Sequence, residues 1–385
     1  MKRNSIKPGE ITVGKPLAWD VYDDQGALLL HTGYIIETSN QLDILMSRGI
    51  FHISDKPSYA PHIERHDLRE EVSPFQLMDQ IYSRLEEMIS LSIPASGKDF
   101  PASIMNLCGS LQQACLQDTD ATLSTILLGP TRRYSIKHSI DVAIICEVIG
   151  QALGMPDNKR ISVIAASLTE NIAMMTLSDI LSSQVKPLTD EQRKAIQRHP
   201  ARGMEILQSL GVKDHVWLDA VLKHHESPDG KGYPEGLHGD AVPSYARLIS
   251  MADFYCAKIS DRSYRSPLSS HEAMQFIFPA SESRIDAGIS ELFVKTFGIY
   301  LPGTFVSLKN NQVAVVTRRG AKIHSPIVHA VTGKDGMLLP GPMYRDTSNP
   351  GFEIAQIIPP RKVTVKVNRY QLWGYGKFKI GIKLN

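Results

Sequence analysis

His224-His225-Glu226-Ser227-Pro228-Asp229-Gly230-Lys231-Gly232-Tyr233-Pro234-Glu235-Gly236-Leu237 is the stretch that decides how this chain is read. An amphipathic helix has no use for two adjacent histidines followed by a loop dense in Gly and Pro. A site that binds a metal beside an anionic ligand has a use for both. Neutral imidazoles ligate divalent transition metals, and glycines let backbone and ligand approach closely. Downstream stand Met251-Ala252-Asp253-Phe254-Tyr255 and Asp261-Arg262-Ser263-Tyr264-Arg265. Upstream, His138 falls on a helix face and His199 just before Pro200 at a helix end. A lone histidine is more often a satisfied core or surface residue than a ligand. The adjacent pair beside the Gly loop tips the reading toward a site.

Composition sets the frame. At 385 residues the chain is long enough for two or three domains, and 42% hydrophobic content supports real cores. A net charge of +2 gives no general attraction to nucleic acid or membrane. Cys108, Cys115, Cys146 and Cys256 lie in apolar surroundings with no CxxC, so they read as reduced core thiols of a cytoplasmic protein. The basic start Met1-Lys2-Arg3 is followed by no apolar h-region, so it does not read as a signal peptide. No run approaches the roughly 18 to 20 apolar residues of a membrane span.

Outward from the site, the pattern divides into four expected parts. Residues 1–56 read as a small β/α module, with strands at 11–13, 16–22, 27–30 and 50–53 and a helix from Ser39 ended by Gly49. A sensory or docking role and a structural cap are both open for it. Residues 57–73, with Pro57, Pro61 and clustered charges, read as a linker. Residues 74–300 carry helical spacing: 75–96, 100–116, 118–128, 135–153, 160–175, 190–198, 201–210, 216–225, 245–260 and 270–276. Thr189 is a good N-cap, with Asp190 and Glu191 in the first turn. From 301 to 385 the period drops to two. Strands are expected at 305–308, 312–317, 327–331, 354–358 and 363–367, and a solvated edge hairpin through the aromatic and Lys-rich 369–383.

The ordered blocks resemble the HD-GYP domains, a subgroup of the helical HD phosphohydrolase superfamily associated with hydrolysis of cyclic di-GMP. Tyr134-Ser135-Ile136-Lys137-His138 is similar to the opening motif, and His199-Pro200-Ala201-Arg202-Gly203 to the His-Pro helix start. His224-His225-Glu226 with Asp229-Gly230-Lys231-Gly232-Tyr233-Pro234 matches the central segment, and Asp253, Arg262, Tyr264 and Arg265 the closing one. A lone Gly-Tyr-Pro is weak; four blocks in order over about 130–300 are specific. The resemblance implies a mainly α fold: an all-helical HD-type bundle core with a small N-terminal α+β module and a C-terminal β extension.

One block departs from the family. Its His-Asp pair, followed by Ile-Gly-Lys, aligns with Thr169-Glu170-Asn171-Ile172-Ala173. The metal set implied by resemblance is His138, Glu170, His199, His224, His225 and Asp253, with Glu170 in place of the bridging Asp and Thr169 a poor ligand. Glu170 and Asp253 are the implied catalytic carboxylates. Lys231, Gly232, Tyr233, Pro234, Arg262 and Arg265 are the implied substrate contacts, the loop offering backbone amides and the two arginines, three apart, suited to paired phosphate contacts. One or two divalent ions, Fe, Mn or similar, are expected, with occupancy reduced by the lost ligand. The expected ligand is cyclic di-GMP or a related nucleotide, not nucleic acid. A protein partner such as a GGDEF-type signalling protein and a homodimer are further expectations. The leading expectation is a divergent signalling protein that binds cyclic di-GMP or a protein partner with weak or no hydrolysis. The alternative is an active metal-dependent phosphodiesterase that uses Glu170. A third reading, phosphohydrolysis of another nucleotide, has little in its favour.

Overall fold

The computed structural model describes residues 72–90, 99–263, 265–277 and 286–375, and, before them, residues 3–7, 9–13, 15, 17, 19, 21–24, 28–30, 36, 39–47 and 50–53. The chain forms two compact units, residues 1–71 with 338–343 and residues 72–337 with 344–385. No helix among the described residues is long and apolar enough to cross a membrane. The linker expected at 57–73 falls outside the described residues up to residue 71, as do Tyr264 and the tail beyond Tyr375.

In the first unit β1 (Arg3–Ser5), β2 (Val21–Tyr22), β3 (Leu28–Leu30) and β4 (Phe51–Ile53) form an antiparallel sheet in the order β1-β4-β2-β3. Helix α1 (Ser39–Met46) joins it, and Ile6, Ile11, Leu17, Val21, Leu30, Ile36, Leu45 and Ile50 make its core. Ile11–Val13, expected as a strand, is turn and bend instead, tightened by Lys15 N donating to Thr12 O.

The second unit holds the helices. They are α2 (Pro74–Ser90), α3 (Phe100–Gln117), α4 (Thr119–Leu128), α5 (Tyr134–Ala152), α6 (Asp157–Thr169), α7 (Met175–Ser183), α8 (Asp190–Ser209), α9 (His215–Lys223), α10 (Ser244–Ile259), α11 (Ser270–Ile277) and α12 (Ala287–Phe297). The fold is mainly α. Short side chains start several helices by accepting from the free amides of the first turn: Asp118 from Ala121 N, Asp214 from Trp217 N, Asp286 from Ile289 N. Thr189 and Gln192 make a reciprocal capping box at α8. Helix α5 is buried all round from Ser139 to Gly150 and is the axis of the bundle, because its apolar residues occupy every face. The four cysteines, Cys146 on α5 itself, are buried and carry free thiols whose pKa burial pushes up.

Helix boundaries at the site differ from the sequence expectation, and the helix expected over 216–225 ends at Lys223, before the two histidines. The helix expected over 160–175 stops at Thr169; Glu170 is its C-cap, and a turn through Asn171–Met174 precedes α7. The apolar run continues across the break, so periodicity alone does not mark it. Conversely, 190–198 and 201–210 are one helix that runs through Pro200. Proline there removes the N–H that would bond the Ile196 carbonyl. The His199 imidazole fills that vacancy, with Nδ1 2.6 Å from Ile196 O.

The strands that follow belong to the same unit, except residues 338–343, which group with the first. They are β5 (Phe305–Leu308), β6 (Val313–Arg318), β7 (Ile327–Thr332), β8 (Leu338–Asp346) and β9 (Ile354–Ile357), of which β7, β6, β5 and β9 adjoin in that order and antiparallel. Asp118 pairs with Arg318 at 2.7 Å, and Asp79 with Arg369 at 2.6 Å. Phe75 meets Tyr370, Trp373 and Tyr375 edge to face. The strand expected at 363–367 has no ladder; Val365 and Val367 pack on this aromatic cluster as extended chain. The expected hairpin at 369–383 begins as a helix, α13 (Arg369–Trp373), capped by Asn368.

Candidate metal centre

Six side chains from five segments meet in the helical bundle. His199 comes from the middle of α8. His224 and His225 follow the last turn of α9. These three offer ligand atoms within 4.8 Å of one another. His138 from α5, Glu170 from the end of α6 and Asp253 from α10 form a second group within the same span. The breaks that ended α6 and α9 place Glu170 and His224–His225 where side chains turn inward at helix ends.

The histidine group is prepared at the level of its protons. A carbonyl only accepts, so His199 Nδ1 must donate to Ile196 O. His224 Nδ1 donates in the same way to Val221 O at 2.7 Å, a carbonyl left over at the end of α9. Both rings therefore present unprotonated Nε2 atoms to each other, 3.1 Å apart. Two lone pairs at that distance repel unless a cation lies between them. Burial, and then His225, push His199 down to about 4, so a proton is a poor occupant at neutral pH. His225 packs 4.1 Å from His224 between ring centroids, and Tyr233 covers its other side at 4.8 Å.

The carboxylate group gives a second indication of a cation. Glu170 is fully buried, its Oε2 has no hydrogen-bond partner, and Oε1 accepts from Asn171 Nδ2 at 3.2 Å. Burial, then the nearby Asp253, push it well above the usual carboxylate range. A buried carboxylate oxygen without a donor is costly unless a metal or proton takes it. His138 Nε2 lies 2.8 Å from Asp253 Oδ1 and 4.0 Å from Glu170 Oε1. Burial alone would raise Asp253, but the His138 hydrogen bond and the surrounding histidines outweigh it and hold the carboxylate well below its usual range. The facing lone pairs and the orphaned oxygen both fit divalent ions held by His199, His224 and His225 and by His138, Glu170 and Asp253.

Thr169 is not part of either group. Its Oγ1 donates to Ala165 O at 2.7 Å and accepts from Trp217 Nε1 at 2.7 Å. Both its hydrogen-bonding roles are spent inside the core. Ala173 lies in the turn after α6 and brings no charge.

The loop after the histidines is organised inward. Glu226 is buried and accepts from the amides of Glu235, Gly236 and Leu237 at 2.6, 3.1 and 2.9 Å. Gly232 packs flat on the chain before it: a Cβ there would lie 2.5 Å from Ser227 N and 2.6 Å from His225 O. Gly230 N bonds Ser227 O, Lys231 N bonds Asp229 Oδ1, and Tyr233 N bonds His225 O. Those amides, expected to face a ligand, hold the loop's own shape. Lys231 is exposed, and Gly232, Tyr233 and Pro234 border the histidines, Pro234 exposed beside the half-buried Tyr233.

The two arginines separate. Arg262 stacks over Tyr134 at 4.9 Å and donates to its hydroxyl, and Tyr134 stacks on His138 at 5.3 Å. Arg265 donates to Ala257 O and Lys258 O at the end of α10, where a cation suits the helix terminus. Their spacing of three does not make a pair here, because the segment after α10 is a bridge, with Arg265 N bonded to Arg262 O, and not a helical turn. Two residues that shape the site carried no sequence signal of their own, Trp217 and Asp179, and Glu226 was read only as part of the His-His-Glu motif. Asp179 on α7 accepts from Ser135 N at 2.8 Å and from Arg133, fixing the start of α5.

A family model of the HD domain matches residues 102–289. The cyclic di-GMP phosphodiesterase PA4108 of Pseudomonas aeruginosa is 28% identical over 228 residues, covering 59% of this chain and 55% of that protein. A probable cyclic di-GMP phosphodiesterase of Vibrio cholerae is 41% identical over 236 residues, 57% of this chain and 53% of that one. The 3'3'-cGAMP-specific phosphodiesterase 3 of Vibrio cholerae is 27% identical and covers 55% and 47%. Among solved structures, the HDG"Y"P protein Bd1817 of Bdellovibrio bacteriovorus aligns with a TM-score of 0.48 at 15% identity, over 76% of this chain and 99% of that one. The chain spans about half the length of the curated relatives it matches.

Proposed function

We propose that this chain, similar to the HD domain over residues 102–289 and to cyclic di-GMP phosphodiesterases, is a divergent HD-GYP-type signalling protein that holds divalent metal at the two triads and binds cyclic di-GMP there with weak or no hydrolysis. One observation carries this reading: six donors remain gathered, while Thr169 is withdrawn from the donor set by its bonds to Ala165 and Trp217. A divalent ion supplies Lewis acidity toward a phosphoryl oxygen and charge to match the anion that develops there. The chain's own residues divide the remaining work. Glu170 and Asp253 are the carboxylates at the reacting centre. Arg262, held over Tyr134, and Lys231, on the exposed loop, meet phosphates. Tyr233 and Pro234 border the position beside His225. Arg265 serves by holding the end of α10.

The expected penalty follows from the count of ligands. Weaker metal binding at one position and no cation at Ala173 reduce charge stabilisation in the transition state. A loss of about 3 kcal/mol there is roughly a hundredfold in rate. The alternative reading is an active metal-dependent phosphodiesterase that uses Glu170 in place of the usual Asp, favoured by the unpartnered Oε2 of Glu170. The test is metal analysis of the purified protein, calorimetric titration with cyclic di-GMP, and a hydrolysis assay in Mn²⁺ or Fe²⁺ followed by chromatography. Binding with turnover at least about a hundredfold below an intact relative supports the proposal. Turnover matching such a relative supports the alternative. Absence of both binding and turnover defeats both.

A further inference from the structure

The two triads are built differently at the donor atoms, and the difference bears on how each takes an ion; this rests on the metal centre proposed above. In the histidine triad, His199 and His224 spend Nδ1 on backbone carbonyls that Pro200 and the end of α9 leave without amide partners. Their Nε2 atoms face each other at 3.1 Å, and no hydrogen bond to a proton donor has to open for an ion to enter. His225 is held in place against Tyr233. In the other triad two of the three ligand atoms are engaged with each other. Asp253 accepts at 2.8 Å from His138 Nε2, so the proton sits on the nitrogen that would ligate. Glu170 Oε1 stands 4.0 Å from that same nitrogen.

We infer that the histidine triad takes one divalent ion first and tightly, and that the His138, Glu170 and Asp253 triad takes a second ion only when its internal hydrogen bond opens. Giving up one charge-assisted hydrogen bond weakens binding about ten- to a hundredfold. Donor chemistry separates the ions as well. Three imidazoles suit Zn²⁺ or Fe²⁺, whereas two carboxylates with one imidazole suit Mn²⁺. The protein therefore carries one resident ion, and its second position fills according to free metal.

The full-length chain, stripped with chelator and then titrated calorimetrically with Zn²⁺ followed by Mn²⁺, tests this. The expected result is one Zn²⁺ retained through desalting, measured by elemental analysis, and a second step at least tenfold weaker that Mn²⁺ occupies. His199→Ala should abolish the tight step, and Asp253→Asn only the weak one. Circular dichroism confirms that each variant is folded, and the titration of the unmodified chain stands whether or not they are. Two ions bound in one step of equal affinity would overturn the inference, as would a tight step that survives His199→Ala or is lost with Asp253→Asn. If the two steps hold and cyclic di-GMP neither binds nor is cut, the ligand reading falls and this one stands. If no ion binds, both fall.

Discussion

Proline inside a helix is normally a defect, and at position 200 the defect is what prepares a ligand. Pro200 leaves Ile196 O without its amide partner, and His199 Nδ1 takes that place. The ring is thereby fixed in the tautomer that exposes Nε2. We expect Pro200→Ala to restore a competing N–H to Ile196 O, to leave the helix as stable or more so, and to weaken the tight metal step about tenfold, read by calorimetric metal titration. Unchanged affinity would show that other contacts orient the ring. At this scale the sequence was legible where residues announce chemistry by adjacency. His224 and His225 stand together, and His199 stands beside a proline. The Trp217–Thr169 bond was not legible, because its partners lie 48 positions apart on different helices and neither breaks a local pattern.

Elements were legible by period and illegible at their ends. The 3.6-residue spacing located the helices from α2 to α11 apart from α7, since they bury apolar residues in the common core. It ran through the break after Thr169, where apolar residues continue although the backbone turns, and it missed α12, which lies past the last motif. The break matters because it lets α7 reach back to α5. Asp179 caps the start of α5 through Ser135 N, and Ser182 O accepts from Ser263 N, so one short helix holds both the His138 helix and the Arg262 segment. Asp179→Ala should cost about 1–2 kcal/mol, as the loss of an N-terminal cap does. It should also weaken the second metal step while sparing the first. Denaturant unfolding reads the former and metal titration the latter; equal weakening of both steps would count against a specific role for α7.

At the scale of the molecule, the part expected as a C-terminal β extension shares a unit with the helices, residues 338–343 aside. The period-two pattern identified strands but not their neighbours, because a sheet face and a helix face are apolar for the same reason. The contact is a real core: Phe75 and Ala121 from helices, Val315 and Val331 from strands, Leu372 and Trp373 from α13. Ion pairs from Asp118 and Asp120 to Arg318 and Arg319 flank it. Trp373→Ala should cost about 3–5 kcal/mol, the usual range for removing a buried large aromatic. The helical signal should melt earlier together with the strands. A helical transition unmoved by the substitution would mean that the sheet is an independent appendage.

The bond between Trp217 and Thr169 has a consequence for redesign. A core closed around a threonine hydroxyl does not admit an imidazole by a single substitution. Thr169→His alone would push an imidazole into space and hydrogen bonds that the indole already holds. Shrinking Trp217 first would open a cavity and leave Thr169 without its indole donor, at a cost of about 3–5 kcal/mol for truncation to Ala and less for Trp217→Phe. Each single step lies downhill in stability, and only the two together reach a packed core again. A double-mutant cycle of Thr169→His with Trp217→Phe, read by thermal unfolding, should therefore show strong positive coupling. A donor at position 169 is then reached only by changing two residues together, and the metal centre as it stands works with the six donors it has.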